Sequence, residues 1–122
     1  RLTPEDRAVW ASAIHSAKRP TSIEVAVNVL LGELGVVFEP QARIGPFVVD
    51  VLVPDRNLVI ECDGDYWHSL PGAKERDRAR DLEFRRLGYR VIRLSERRIR
   101  AGRFLPLQKS LLEAPAVGGY VN

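Results

Sequence analysis

Asp50, Glu61 and Asp63 stand where core β-strands would carry valines, and His68 follows five residues later. All four lie in the stretch FVVDVLVPDRNLVIECDGDYWH, residues 47–68. Phe47–Val53 and Leu58–Ile60 are apolar runs, and Pro54-Asp55-Arg56-Asn57 between them is a turn, with proline setting φ and Asp/Asn bonding their own backbone. A turn centred between Asp55 and Arg56 makes a hairpin in which Asp50 faces Glu61. Residues two apart share a face, so Asp63 joins them. Like charges directly opposite destabilise a sheet, and a divalent cation is the economical remedy. Carboxylate oxygens plus water suit magnesium or manganese. The alternative on these residues alone is an edge hairpin whose acidic face meets solvent, where opposed acids cost little.

Gly64-Asp65-Tyr66-Trp67-His68 continues the run. A glycine after Asp63 lets the chain turn off the sheet, so that His68 can fold back toward the carboxylates. Histidine is the usual proton-transfer group near neutral pH, and a carboxylate neighbour would orient its ring. The competing reading makes His68 a packing residue and Tyr66 and Trp67 core aromatics.

Charge is unevenly spread. Between Lys74 and Arg103 stand eleven arginines and one lysine against five acids, a surplus of seven in a chain of net charge +3. The planar guanidinium suits phosphate recognition, and a basic block beside an acidic constellation suits a polyanion held against a metal site. Interleaved acids equally allow a solvated, salt-bridged helix face.

The elements that must position these groups follow from the pattern. At 122 residues the chain makes one domain, 1–122. Its single cysteine, Cys62, excludes an internal disulfide and a multi-cysteine zinc site, and fits a reducing, cytoplasmic compartment. No run reaches the roughly 18 apolar residues of a membrane span, and no signal peptide is visible, so no membrane partner is expected. A start at Arg1 without methionine suggests a piece of a longer protein.

Thr3-Pro4-Glu5-Asp6 opens a helix to about Lys18 that buries Val9, Trp10, Ala13 and Ile14. Thr21-Ser22-Ile23-Glu24 has capping-box spacing and starts a second, to about Leu34, burying Ile23, Val27, Leu30, Leu31 and Leu34. Val36–Phe38 and Ala42–Ile44 read as short strands around Glu39-Pro40-Gln41, leading into the hairpin. After a loop at Leu70-Pro71-Gly72 comes a charged helix from Ala73 to Leu87 with a thin stripe of Leu82, Phe84 and Leu87, stopped by Gly88. Tyr89–Leu94 is a strand, parallel to a hairpin strand because the helix before it makes a crossover. Ser95 caps a short helix over Glu96–Arg100, Pro106–Glu113 is helical again, and 114–122 is an irregular tail. The order is α-α-β-β-β-α-β-α, an α/β layer.

The run Cys62-Asp63-Gly64-Asp65-Tyr66-Trp67-His68, followed by Glu75-Arg76-Asp77-Arg78 and Leu87-Gly88-Tyr89-Arg90-Val91, resembles the very-short-patch-repair (Vsr) endonucleases. It is still more similar to their small bacterial relatives in the PD-(D/E)XK nuclease superfamily, over roughly Thr21 to Ile99. The resemblance implies a restriction-endonuclease-like core: a central mixed β-sheet of about four strands flanked by helices. It also implies a Mg2+- or Mn2+-dependent endonuclease. Asp50 would be the central metal-binding aspartate, Glu61 the second acid, and the Cys62 backbone carbonyl a further ligand. Asp63 stands where the superfamily has lysine and Vsr has histidine, so the usual positive group near the attacking water is missing. His68 matches the Vsr general acid/base, Asp77 an acid able to hold it, and Glu24 the first-helix glutamate, although capping alone also explains Glu24. Tyr66 and Trp67 match aromatics that wedge into the DNA stack. The cysteines of the Vsr structural zinc are absent.

These residues predict hydrolysis of phosphodiester bonds in DNA, by nicking or double-strand cutting, alone or together with another DNA-processing protein. Arg76, Arg78, Arg80 and Arg93 are expected to hold phosphates, with Arg80 and Arg93 equally able to pair with local acids. The alternatives are a non-catalytic nucleic-acid-binding module on the same scaffold and an RNA-cleaving effector domain.

Overall fold

Among the described residues a four-stranded mixed sheet carries Asp50, Glu61 and Asp63, and five helices cover it. The computed structural model describes residues 20–113, and of Trp67 and His68 the backbone alone. The helix expected over Thr3–Lys18 and the tail 114–122 lie outside the described residues. In chain order the elements are α1 (Ser22–Glu33), β1 (Glu39–Ile44), β2 (Phe47–Val53), a 3-10 turn (Pro54–Arg56), β3 (Leu58–Asp63), α2 (Asp65–Ser69), α3 (Ala73–Arg86), β4 (Arg90–Ser95), α4 (Glu96–Arg100) and α5 (Leu105–Leu112).

Strand order is β1-β2-β3-β4, antiparallel except for the parallel β3/β4 pair. Crossing over through α3 makes that last pair parallel, as the sequence predicts. The hairpin register is also the expected one: Val51 pairs with Ile60, Leu52 with Val59 and Val53 with Leu58. Asn57 closes the turn in the left-handed region at φ 48°.

Three expectations change. Val36–Phe38 is no strand, and Glu39-Pro40-Gln41 is the first half of β1 rather than a break. Proline is tolerated there because β1 is a sheet edge, where a missing N–H costs no ladder bond. Asp65–Ser69 forms one helical turn that the expected order of elements does not contain. A single turn is too short to show periodicity, and a tertiary bond anchors it, the Asp65 N–H donating to Glu96 Oε1 at 3.1 Å. Finally, Leu82 and Leu87 of α3 are exposed, and the buried line is Ala73, Arg80 and Phe84. A core arginine is invisible to a hydropathy pattern.

Each face of the sheet carries its own core. On one, Ile23, Val27 and Leu31 of α1 pack with Val51, Val53, Leu58, Ile60, Leu94, Ile99, Leu107 and Leu111. Leu34, expected there, is exposed. On the other, Phe84 of α3 joins Ala42, Ile44, Phe47, Val49, Leu52 and Val59, with Phe47 and Phe84 edge to face at 5.3 Å. Burial of this kind contributes about 1.5–3 kcal/mol per large side chain. Among the described residues no helix is long and apolar enough to cross a membrane.

Candidate active site

Along a regular strand, Val49 and Val51 would share a face. Here Val49 belongs to the α3-side core and Val51 to the α1-side core, so the pleat of β2 slips at Asp50. Its partner strand slips at the same level. Pro40 pairs with Val51 and Ala42 with Val49, which leaves Gln41 facing Asp50, and Gln41 has φ 51°. A non-glycine residue in that region costs on the order of 1–3 kcal/mol and marks a place where tertiary structure dictates the backbone.

The β2/β3 ladder stops beside this fault, and the acids' side chains take over its hydrogen bonds. The Asp50 N–H donates to Glu61 Oε1 at 3.1 Å, and the Cys62 N–H donates to Asp50 Oδ2 at 2.7 Å. Asp50 and Glu61 are thereby locked side by side at the open end of the hairpin. Glu61 is buried, and its Oε2 receives Arg80 Nη2 at 2.5 Å. Arg80 is itself buried, donating to the Val48 carbonyl at 3.3 Å, with its guanidinium 5.2 Å from the centroids of both Phe47 and Phe84. That placement corrects the expectation of a phosphate-holding Arg80: its charge is spent inside the domain.

Glu24 reaches the same corner from α1. Thr21 caps that helix, accepting the Glu24 N–H at 3.4 Å and donating its hydroxyl to Glu24 Oε2 at 3.1 Å. The other oxygen, Oε1, accepts Gln41 Nε2 at 2.7 Å. Capping and proximity to Asp50 are thus both present. Asp50's carboxyl is pushed up to about 8 by burial and by the charge of Glu61, against the Cys62 N–H bond; Glu24 adds to the rise and Arg80 opposes it. Burial and the same carboxylates push the Cys62 thiol up, which keeps it protonated and unfit as a thiolate ligand.

A second cluster adjoins the first. Arg93 of β4 donates Nε and Nη2 to Asp81 at 3.2 and 2.7 Å and Nη1 to Asp63 at 3.0 Å, with Asp77 at 3.6 Å. Burial alone would lower Arg93's pKa, but Asp81 and Asp63 raise it instead. Asp63 is raised by burial, and Arg93 only partly offsets that. The expectation of a phosphate-holding Arg93 is corrected likewise, because acids take its fork. The acid pairing that sequence reasoning left open for both arginines is the one the fold adopts.

Of the remaining expected residues, Tyr66 is exposed, which excludes its core reading. Trp67 and His68 lie on α2, their side chains outside the described residues. Arg76 folds back on the Pro71 carbonyl at 3.0 Å, while Arg78 is exposed. Arg78 belongs to a groove of about 350 Å3 along α3, with Lys74 and Arg85 beside it and Asp77, Asp81 and Arg93 also lining it. Lys74, Arg78 and Arg85 are exposed and make no ion pair among the described residues. Sequence reasoning missed Gln41, Asp81, Lys74 and Arg85. Asp81 follows Asp77 by one helical turn, a readable spacing; nothing in the sequence marks Gln41.

Among the described residues no three His, Cys, Asp or Glu side chains converge on one metal position. Asp50 and Glu61, side by side, are the carboxylates that could hold a cation at this corner. Such oxygen donors suit a hard ion that keeps several waters.

A mixed sheet wrapped by helices, with its acids at the end of a central hairpin, is a restriction-endonuclease-like α/β domain. The chain belongs to the restriction-endonuclease-like family REase_MTES_1575, whose model matches residues 23–103. It shares its fold with the catalytic domain of homing endonuclease I-Bth0305I, at TM-score 0.65 and 23% identity, over 76% of this chain and 96% of that one. No curated protein matches.

Proposed function

We propose that this chain is a divalent-metal-dependent endonuclease that hydrolyses phosphodiester bonds in DNA, by nicking or double-strand cutting, with Vsr-type enzymes as its functional kin. The observation that carries this reading is the Asp50–Glu61 pair, locked at a fault in the pleat with more negative charge than Arg80 offsets. Membership of a restriction-endonuclease-like family and a shared fold with a homing endonuclease catalytic domain support it.

Asp50, Glu61 and the Cys62 carbonyl would hold Mg2+ or Mn2+. When bound, such an ion polarises a phosphate and lowers the pKa of water. Glu24 adds negative charge at the same corner. His68, on the helix that follows the acids, is the proposed proton-transfer group, with Asp63 acting through water. Lys74 and Arg78, one helical turn or about 6 Å apart, and Arg85 are placed to follow a phosphate backbone. The exposed Tyr66 offers a stacking surface.

A second reading has an observation of its own. Arg80 already neutralises buried Glu61, as it would in a non-catalytic nucleic-acid-binding module. Supercoiled plasmid incubated with Mg2+, Mn2+ or EDTA separates the two, with a structured RNA as a parallel substrate. Metal-dependent relaxation or linearisation is expected, falling at least ~10³-fold in Asp50→Asn while the fold persists. DNA retardation without cutting would favour the binding module, and cleavage confined to RNA would favour the effector reading.

A further inference from the structure

We propose that Gln41 is a positioning residue of this site: its amide fixes the Glu24 carboxylate, and its left-handed backbone sets the fault on which Asp50 is presented. The inference rests on the proposed nuclease reading and adds a residue that no motif marks.

Backbone and side chain of Gln41 do separate jobs. The φ of 51° falls in a region that Gly, Asn and Asp take readily and Gln does not. A strand that needed only the fault would be better served by one of those residues. Glutamine contributes reach: its Nε2 spans to Glu24 Oε1 at 2.7 Å, from β1 to α1. With Thr21 holding Oε2 at 3.1 Å, both oxygens of a buried carboxylate are fixed. Gln41 also faces Asp50 across the β1/β2 pair, between Pro40–Val51 and Ala42–Val49. One residue therefore joins the element that supplies Glu24 to the strand position that supplies Asp50. The charge of Glu24 is felt at Asp50, so the placement matters electrostatically. A bland alternative exists, in which Gln41 merely satisfies a buried helix-cap glutamate.

Gln41→Asn and Gln41→Gly separate the two accounts. Both residues suit φ 51°, and neither reaches Glu24 as glutamine does; the strain relieved offsets the hydrogen bond lost to Glu24, so thermal unfolding of the metal-free variants should stay close to that of the parent chain. Mn2+ affinity, measured by calorimetric titration, and single-turnover plasmid cleavage should each fall at least tenfold. In a Glu24→Gln background the same substitutions should add little further loss, since the effect runs through Glu24. Unchanged Mn2+ affinity and cleavage in Gln41→Asn and Gln41→Gly would overturn the proposal, as would losses fully additive with Glu24→Gln. A parent chain that binds Mn2+ but cuts nothing sinks the nuclease reading alone, and the titration still decides the role of Gln41. A parent chain that does not bind Mn2+ overturns both.

Discussion

Two clusters in this domain each set one guanidinium among three carboxylates, and they behave differently. In the first, Arg80 meets Glu61, with Asp50 and Glu24 close by; in the second, Arg93 meets Asp81, Asp63 and Asp77. The side chains of Arg80 and Glu61 are 2% and 6% exposed, whereas the four of the second cluster lie between 19% and 29%. Arg93 spreads its fork over its neighbours while water screens the rest. Arg80 bonds Glu61 and the Val48 carbonyl and is packed against two aromatic rings, so Asp50 gains little from it. The same charge count gives a latch tying β3 and β4 to α3 in one place and an acid surplus in the other. Burial, not composition, separates them.

The harshest way to test that contrast is to delete each arginine. Arg80→Ala leaves Glu61 buried and unpaired, and should cost about 3–5 kcal/mol in urea unfolding. Arg93→Ala, where water reaches every partner, should cost about 1 kcal/mol. Equal losses would break the distinction between the clusters. Arg80→Met combined with Glu61→Gln should recover much of the loss, because no charge is then left unpaired.

A pH series sharpens the comparison from the acid side. Asp50's folded pKa of about 8 lies above its ordinary 3.8, so the folded state binds its proton more tightly than the unfolded one. Stability of the metal-free chain should therefore fall as pH rises from about 4 to about 8, and the contribution levels off beyond. Asp50→Asn should flatten that slope and melt a few °C higher than the parent at pH 8, on the order of what ~1 kcal/mol gives in a domain this size. A slope unchanged by the substitution would show that Asp50 is not where the surplus resides.

The smallest effect on stability belongs to the outer groove. Replacing Lys74, Arg78 and Arg85 together with glutamine should leave unfolding within about 0.5 kcal/mol. It should also reduce the salt dependence of DNA binding by up to roughly 0.9 per lost phosphate contact. An unchanged salt slope would place the phosphates elsewhere.

Much of the frame was legible because its signals are local. Thr21 and Ser95 are side-chain caps, Pro54–Asn57 is a turn, and short apolar runs with a crossover helix give the sheet. The turn alone put Asp50 level with Glu61. Less of the site was legible. Arginines are read from sequence as surface groups, yet Arg80 is core and Arg93 is a latch, because each meets acids far away in sequence. Thr21 could be recognised as a cap for Glu24, whereas the amide that holds Glu24's other oxygen comes from seventeen residues on.

The sequence by itself therefore determined most of the elements and the register of the hairpin. These depend on φ preferences, capping chemistry and apolar runs over a few residues. Only the tertiary structure decided which acids are neutralised, because that depends on how deeply each is buried and which guanidinium α3 and β4 bring to it. The slip of the pleat beside Gln41 is also legible only in the fold, since glutamine does not prefer φ 51° and Val49 and Val51 pack into opposite cores.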